Sequence, residues 1–114
     1  MYGFSVKKSW AGFWITFRNG VTVSVQFGYG NYCKNRDNEK VKGWLLDSPE
    51  CGEVSSEDAE VAVIYKERFI TRMYKNEGDV LGWQTPEDVL NILNWASKLT
   101  EEKILAFELK EGKV

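Results

Sequence analysis

Residues 26–36, reading QFGYGNYCKNR, hold three aromatics, two glycines, a thiol and two cations, with no acid among them. Three chemistries suit such a stretch: a reactive cysteine, a phosphate-cradling glycine loop, or an aromatic surface edged with cations. For the first, Lys34 and Arg36 beside Cys33 would lower the thiol's pKa and favour the nucleophilic thiolate. The chain has no histidine, however, so the commonest general base is missing and Cys33 has no evident base partner. Two cysteines without histidine cannot complete a zinc site from one copy. For the second, Gly28-Tyr29-Gly30 follows a strand pattern as a dinucleotide fingerprint would, but position 33, where the third glycine belongs, is Cys. No Gly-Lys-Ser/Thr occurs either, and Glu101-Glu102-Lys103 sits behind a helix pattern rather than on a central strand. No catalytic residue, metal ligand or cofactor is assigned.

The third chemistry fits best. Tyr29 and Tyr32 are flanked by Lys34, Asn35 and Arg36. Aromatic faces beside cations stack bases and hold phosphates at roughly 1–3 kcal/mol per stacked base. Exposed aromatics with arginine are equally the material of protein-interface hot spots. Trp14, on the polar face of a preceding strand, extends the patch. The candidate contacts are therefore Trp14, Tyr29, Asn31, Tyr32 and Arg36. A purely structural role competes with this: the tyrosines would lid the sheet, and Asn31 and Asn35 would cap turns.

The elements that must position these residues read as α+β: an antiparallel sheet of about four or five strands with one main C-terminal helix packed on a face. Phe13, Ile15 and Phe17 alternate with Trp14, Thr16 and Arg18, and Val21, Val23, Val25 and Phe27 alternate with Thr22, Ser24 and Gln26. A two-residue Asn19-Gly20 turn would mix these faces. A three-residue loop, Arg18-Asn19-Gly20, pairs Phe17 with Val21 and sorts them, with Gly20 in the left-handed position. Residues 28–58 form a long irregular connection in which only VKGWLLD (41–47) suggests a packed segment. Val61, Val63 and Tyr65, then Phe69, Thr71 and Met73, predict two more strands around a Lys66-Glu67-Arg68 turn. Thr85 and Pro86 open a helix over 85–99, with Asp88 in the capping-box position and Val89, Ile92, Leu93, Ala96 and Leu99 as its apolar stripe. KILAFELK (103–110) alternates like an edge strand, with a second short helix as the alternative.

At 114 residues the chain suits one domain, 1–114. Its net charge of −2 hides an asymmetry: no acid precedes Asp37, while from there on 17 acids face 10 bases. That asymmetry favours an anionic or planar partner at the N-terminal half, head-to-tail self-association into a homo-oligomer, or mutual neutralisation within the fold. No apolar run reaches membrane-spanning length, and no secretory peptide is evident, so a cytoplasmic protein with reduced thiols is expected. Whether Cys33 and Cys51 pair is open from spacing alone.

VSVQFGYGNYCKNR, then AEVAV, then GDVLGWQTPEDVLNILNWASKL, resembles a pattern in small uncharacterised bacteriophage proteins: V-Q-F-G-x-G-N-Y-C-x-N-R, a strand pair, and G-W-x-[ST]-P-E-x-V-L before a terminal helix. The match falls on Val25–Arg36 and Gly82–Leu90 and reaches across most of residues 13–99. The resemblance carries no activity and implies only a phage setting. Small phage proteins without catalytic residues commonly bind a protein of the host or phage. The expected function is thus a non-enzymatic accessory protein that modulates such a partner, as a host-takeover or counter-defence inhibitor. The alternative is a nucleotide or single-stranded nucleic-acid binding module.

Overall fold

The computed structural model describes residues 2–7, 10–42 and 53–112. In chain order the elements are β1 (Gly3–Ser5), β2 (Gly12–Thr16), β3 (Thr22–Gln26), a 3-10 turn (Glu39–Val41), β4 (Ala59–Tyr65), β5 (Arg68–Phe69), α1 (Thr71–Tyr74), β6 (Leu81–Gln84), α2 (Pro86–Ser97) and α3 (Glu101–Lys110). They form an α+β fold. The antiparallel sheet runs β1-β2-β3-β4, and β5 and β6 share the far edge of β4, one at each end.

The β2–β3 hairpin has the register the alternation predicts. Phe13 faces Val25 and Ile15 faces Val23, Phe17 N–H donates to the Val21 carbonyl at 2.9 Å, and Gly20 sits at φ +85°. Asn19 at the tip does more than turn the chain. Its side-chain amide N–H donates to the Ala96 and Leu99 carbonyls at 2.9 Å each, tying the hairpin tip to the end of α2 and the residues just after it.

Thr85 and Asp88 close the expected capping box on α2, and Ile92 and Ala96 are buried against the sheet. The core lies between that helix and the Val21/Val23/Val25 and Val61/Val63 rows, with Leu99 and Ile104 completing it. Phe27 packs against this core.

Three expectations are corrected. The strand expected through Phe69, Thr71 and Met73 stops at Phe69 and becomes α1. Thr71, fully buried, accepts the Val63 N–H on its hydroxyl (2.9 Å) and donates to the Asp79 carbonyl (2.7 Å). A side chain thus takes the place of a ladder bond, and the chain can leave the sheet. The turn before it is two residues, Lys66 and Glu67, not three. Of the two alternatives left open for residues 103–110, the structure has the helix. The Thr100 hydroxyl caps α3 through the Lys103 N–H, Glu101 and Glu102 favour its positive start, and Ile104 and Glu108 are buried one turn apart.

The second face of the sheet is the third correction. Thr16, Ser24 and Gln26, expected on a polar open face, are buried. The irregular stretch expected at 28–58 is irregular where described, apart from the 3-10 turn. The packed segment expected at VKGWLLD lies mostly outside the described residues, as does Cys51. Among the described residues no helix is long and apolar enough to cross a membrane.

Candidate functional site

The loop after β3 is held by its own amides. Asn31 accepts the Gly28 N–H at 2.9 Å and donates to a Glu60 carboxylate oxygen, Oε2, at 2.8 Å. Asn35, buried, donates to the carbonyls of Phe27 (2.8 Å) and Ser55 (2.9 Å). Gly30, at φ +85°, donates back from its N–H to the Arg36 carbonyl at 2.9 Å. The asparagines thus have the turn-holding role that competed with ligand contact, and Asn31 reaches a partner only through Glu60.

Cys33 is buried beneath this loop as a free thiol. Burial pushes its pKa up, and Asp58 and Glu60 add to the rise. The activation by Lys34 and Arg36, a minor reading of the sequence, is not what this burial favours. Lys34 is turned toward the start of β4, where its ammonium lies 3.2 Å from Glu57 and its N–H donates to Asp58 at 2.7 Å. The basic loop and the acidic strand neutralise each other here.

What remains outward is aromatic. Tyr32 stacks on Trp83 of β6, with ring centroids 5.8 Å apart and planes at 26°, and the Arg36 guanidinium lies 5.2 Å from the Tyr32 ring. The Trp83 N–H donates to the Tyr32 carbonyl at 2.8 Å. Gly82 permits this approach, since a Cβ there would lie 2.8 Å from the Tyr32 Cβ. Trp83 itself has φ +52°, in the left-handed region, and is 54% exposed. The conformation costs an L-residue about 1–2 kcal/mol, and the ring hides little surface in exchange. Arg36 and Trp83 share a trough of about 510 Å³ with residues 33–38.

The other candidates lie to the side of this cluster. Tyr29 is exposed with the Lys42 ammonium 5.1 Å from its ring, and shares a hollow of about 250 Å³ with Trp10 and Asn31. Trp14 is half-buried on the second face of the sheet. Its ring meets Trp10 at a centroid distance of 5.6 Å, and the Lys7 ammonium lies 5.0 Å from it. Trp14 and Asn31 share a second recess of about 440 Å³. The single expected patch is thus a band. Tyr32 and Arg36 are together at one end, Trp14 lies at the other, and Asn31 and Tyr29 stand between. Trp83 joins it from distant sequence, and Trp10 and Lys7 from the stretch just before Trp14. The sequence signals for Trp83 were its place in the Gly-Trp start of the motif at Gly82–Leu90 and the recurrence of Gly-Trp at 43–44 and 82–83.

No family model matches the chain, and no curated protein or solved structure matches it.

Proposed function

We propose that this chain is a non-enzymatic accessory protein of phage type that binds and modulates a protein of the host or of the phage, acting in the host cytoplasm. The centre of contact is Tyr32, Arg36 and Trp83, with Tyr29 at the rim. One observation carries the reading: a large, exposed indole is held in a left-handed backbone conformation that glycine would adopt without strain. Strain of this kind clusters at ligand clamps and contact sites. Stacked aromatics beside an arginine have hot-spot composition, and pairing of Lys34 with Glu57 leaves this end of the band less basic than its sequence.

A second reading keeps a specific support: Lys42 and Arg36 lie over the Tyr29 and Tyr32 rings, an arrangement suited to stacked bases with phosphates nearby. Tagged protein recovered from infected cells, with and without nuclease and across a salt series, separates the two. The interface reading expects a protein partner that resists nuclease and moderate salt and is lost with Trp83→Ala. Recovery that falls steeply with salt and with nuclease would replace it with the nucleic-acid reading. A folded Trp83→Ala protein that keeps every partner would refute the assigned surface.

A further inference from the structure

Helices cover one face of the sheet. On the other, the pairing register builds a recess. Trp14, Ser24 and Ala62 are cross-strand neighbours, so the two central strands place small side chains in the middle of the rung. The next rungs carry Gln26 beside Glu60 on one side and Ile64 beside Phe69 on the other. Small floor and large walls leave about 440 Å³, with Trp10 also lining the hollow. That volume is within the range of small-molecule sites, roughly 300–1,000 Å³.

Its polar lining is specific. Gln26 is only 3% exposed, and its amide N–H donates to the Ser24 hydroxyl at 3.1 Å. Its oxygen is buried without a hydrogen-bond partner among the described residues. Gly12 makes room for that oxygen, since a Cβ there would approach it to 2.4 Å. Glu60 receives Asn31 on one carboxylate oxygen, which fixes the carboxylate's orientation and leaves Oε1 uncommitted among the described residues. The Gln26 oxygen is packed toward Gly12, so the acceptor offered to an occupant is the Glu60 carboxylate, and the occupant must bring donors. A cationic occupant would meet the Lys7 ammonium already over Trp14. A purely apolar one would leave the carboxylate unsatisfied. A flat ring with adjacent N–H donors, carried on an anionic group for Lys7, meets all of these conditions. Among nucleobases, guanine presents a ring N–H and an amino group side by side, whereas adenine sets an acceptor beside its amine and uracil flanks its N–H with acceptors.

We propose that this recess binds a guanine base, free as a nucleotide or within a single strand. Trp10 and Trp14 supply stacking surface, Glu60 accepts from the ring N–H and amino group, and Lys7 meets phosphate. Asn31 is a positioning residue for Glu60. The site goes beyond the protein-binding surface at Trp83 and does not depend on it.

The test is calorimetric titration of the full chain with GMP, IMP and AMP, and with short guanine-rich and thymine-only strands. GMP should bind about 10-fold or more tighter than AMP, with IMP between them because it lacks the amino group. Ala62→Leu, which fills the floor without touching a hydrogen bond, should abolish binding while leaving the melting temperature unchanged. Glu60→Gln should remove the preference for GMP, and it supplies the answer if the leucine variant misfolds. Trp83→Ala should bind as the parent does, which keeps this site's failure distinct from that of the interface. Binding of the guanine-rich strand but not of GMP would identify the polymer as the source. Equal binding of AMP and GMP, undiminished binding by folded Ala62→Leu, or no binding of GMP or strand at millimolar concentration would overturn the proposal.

Discussion

Trp83 permits backbone strain to be separated from side-chain contact by two substitutions. Both Trp83→Ala and Trp83→Gly delete the indole, and with it the Tyr32 stack, a pair worth about 0.5–1.5 kcal/mol. They differ in the backbone. Alanine keeps a Cβ at φ +52° and retains the left-handed penalty of about 1–2 kcal/mol, while glycine relieves it. Glycine gives back about 0.5–1 kcal/mol through the greater freedom of its unfolded chain. The glycine variant should therefore be the more stable of the two by about 0.5–1 kcal/mol. For a domain of this size that is up to about 4 °C in melting temperature.

The assay is thermal and urea unfolding of the two variants side by side, followed by circular dichroism. This order reverses the usual one, since glycine within a strand normally weakens it. An alanine variant as stable as the glycine variant, or more so, would refute the strain argument and with it the reason for singling out Trp83. Partner capture adds a second readout. If the indole makes the contact, both variants lose the partner alike despite their different stabilities. If the backbone shape makes it, the two will differ.

Two further tests address the frame that holds the site. Lys66 and Glu67 both have positive φ, 49° and 65°, in a two-residue hairpin turn that favours Asn-Gly. Replacing the pair with Asn-Gly should raise stability by about 1 kcal/mol in urea unfolding, because the Lys66–Glu101 ion pair it removes is exposed and weak; a loss of stability would contradict the strained-turn reading. Arg68 grips fully buried Glu108 with two nitrogens, one bond measuring 2.7 Å, and so ties the β4–β5 hairpin to α3. Arg68→Ala removes the guanidinium from a carboxylate without solvent and should lower the melting temperature clearly. Glu108→Gln should cost less, since the partly exposed arginine can turn to water. Equal losses would show that packing, not charge burial, dominates there.

What the sequence revealed follows the range of the interactions. The β2–β3 register was legible because alternation and turn length must agree locally, and only one pairing of Phe17 and Val21 satisfies both. The α2 cap was legible because Thr85, Pro86 and Asp88 act within one turn of each other. The end of β5 was not, because it depends on Thr71 bonding to Val63 and Asp79, eight residues away in each direction. α3 reads from the sequence as either strand or helix because Leu105, Phe107 and Leu109 alternate by coincidence. The helix buries Ile104 and Glu108 instead, and Glu108 meets there an arginine, Arg68, that comes from another element.

The candidate site shows the same division at the level of chemistry. Tyr32 and Arg36 were legible as a pair because they are close along the chain, but the ring completing their stack comes from β6, whose pairing with β4 is broken by an irregularity between Ala59 and Val61. The basic character of the N-terminal half was equally misleading taken alone. β4 lies beside β3, so Glu57, Asp58 and Glu60 meet Lys34 and Asn31 where the chain returns to the sheet. Folding therefore turns a cationic aromatic stretch into an aromatic surface on which Lys34 is matched by Glu57 and Arg36 lies over the Tyr32 ring. That change of character favours recognition by ring contact over attraction to bulk negative charge. It predicts that partner binding at Trp83 depends weakly on salt, while a base in the Glu60 recess is selected by its hydrogen-bonding edge.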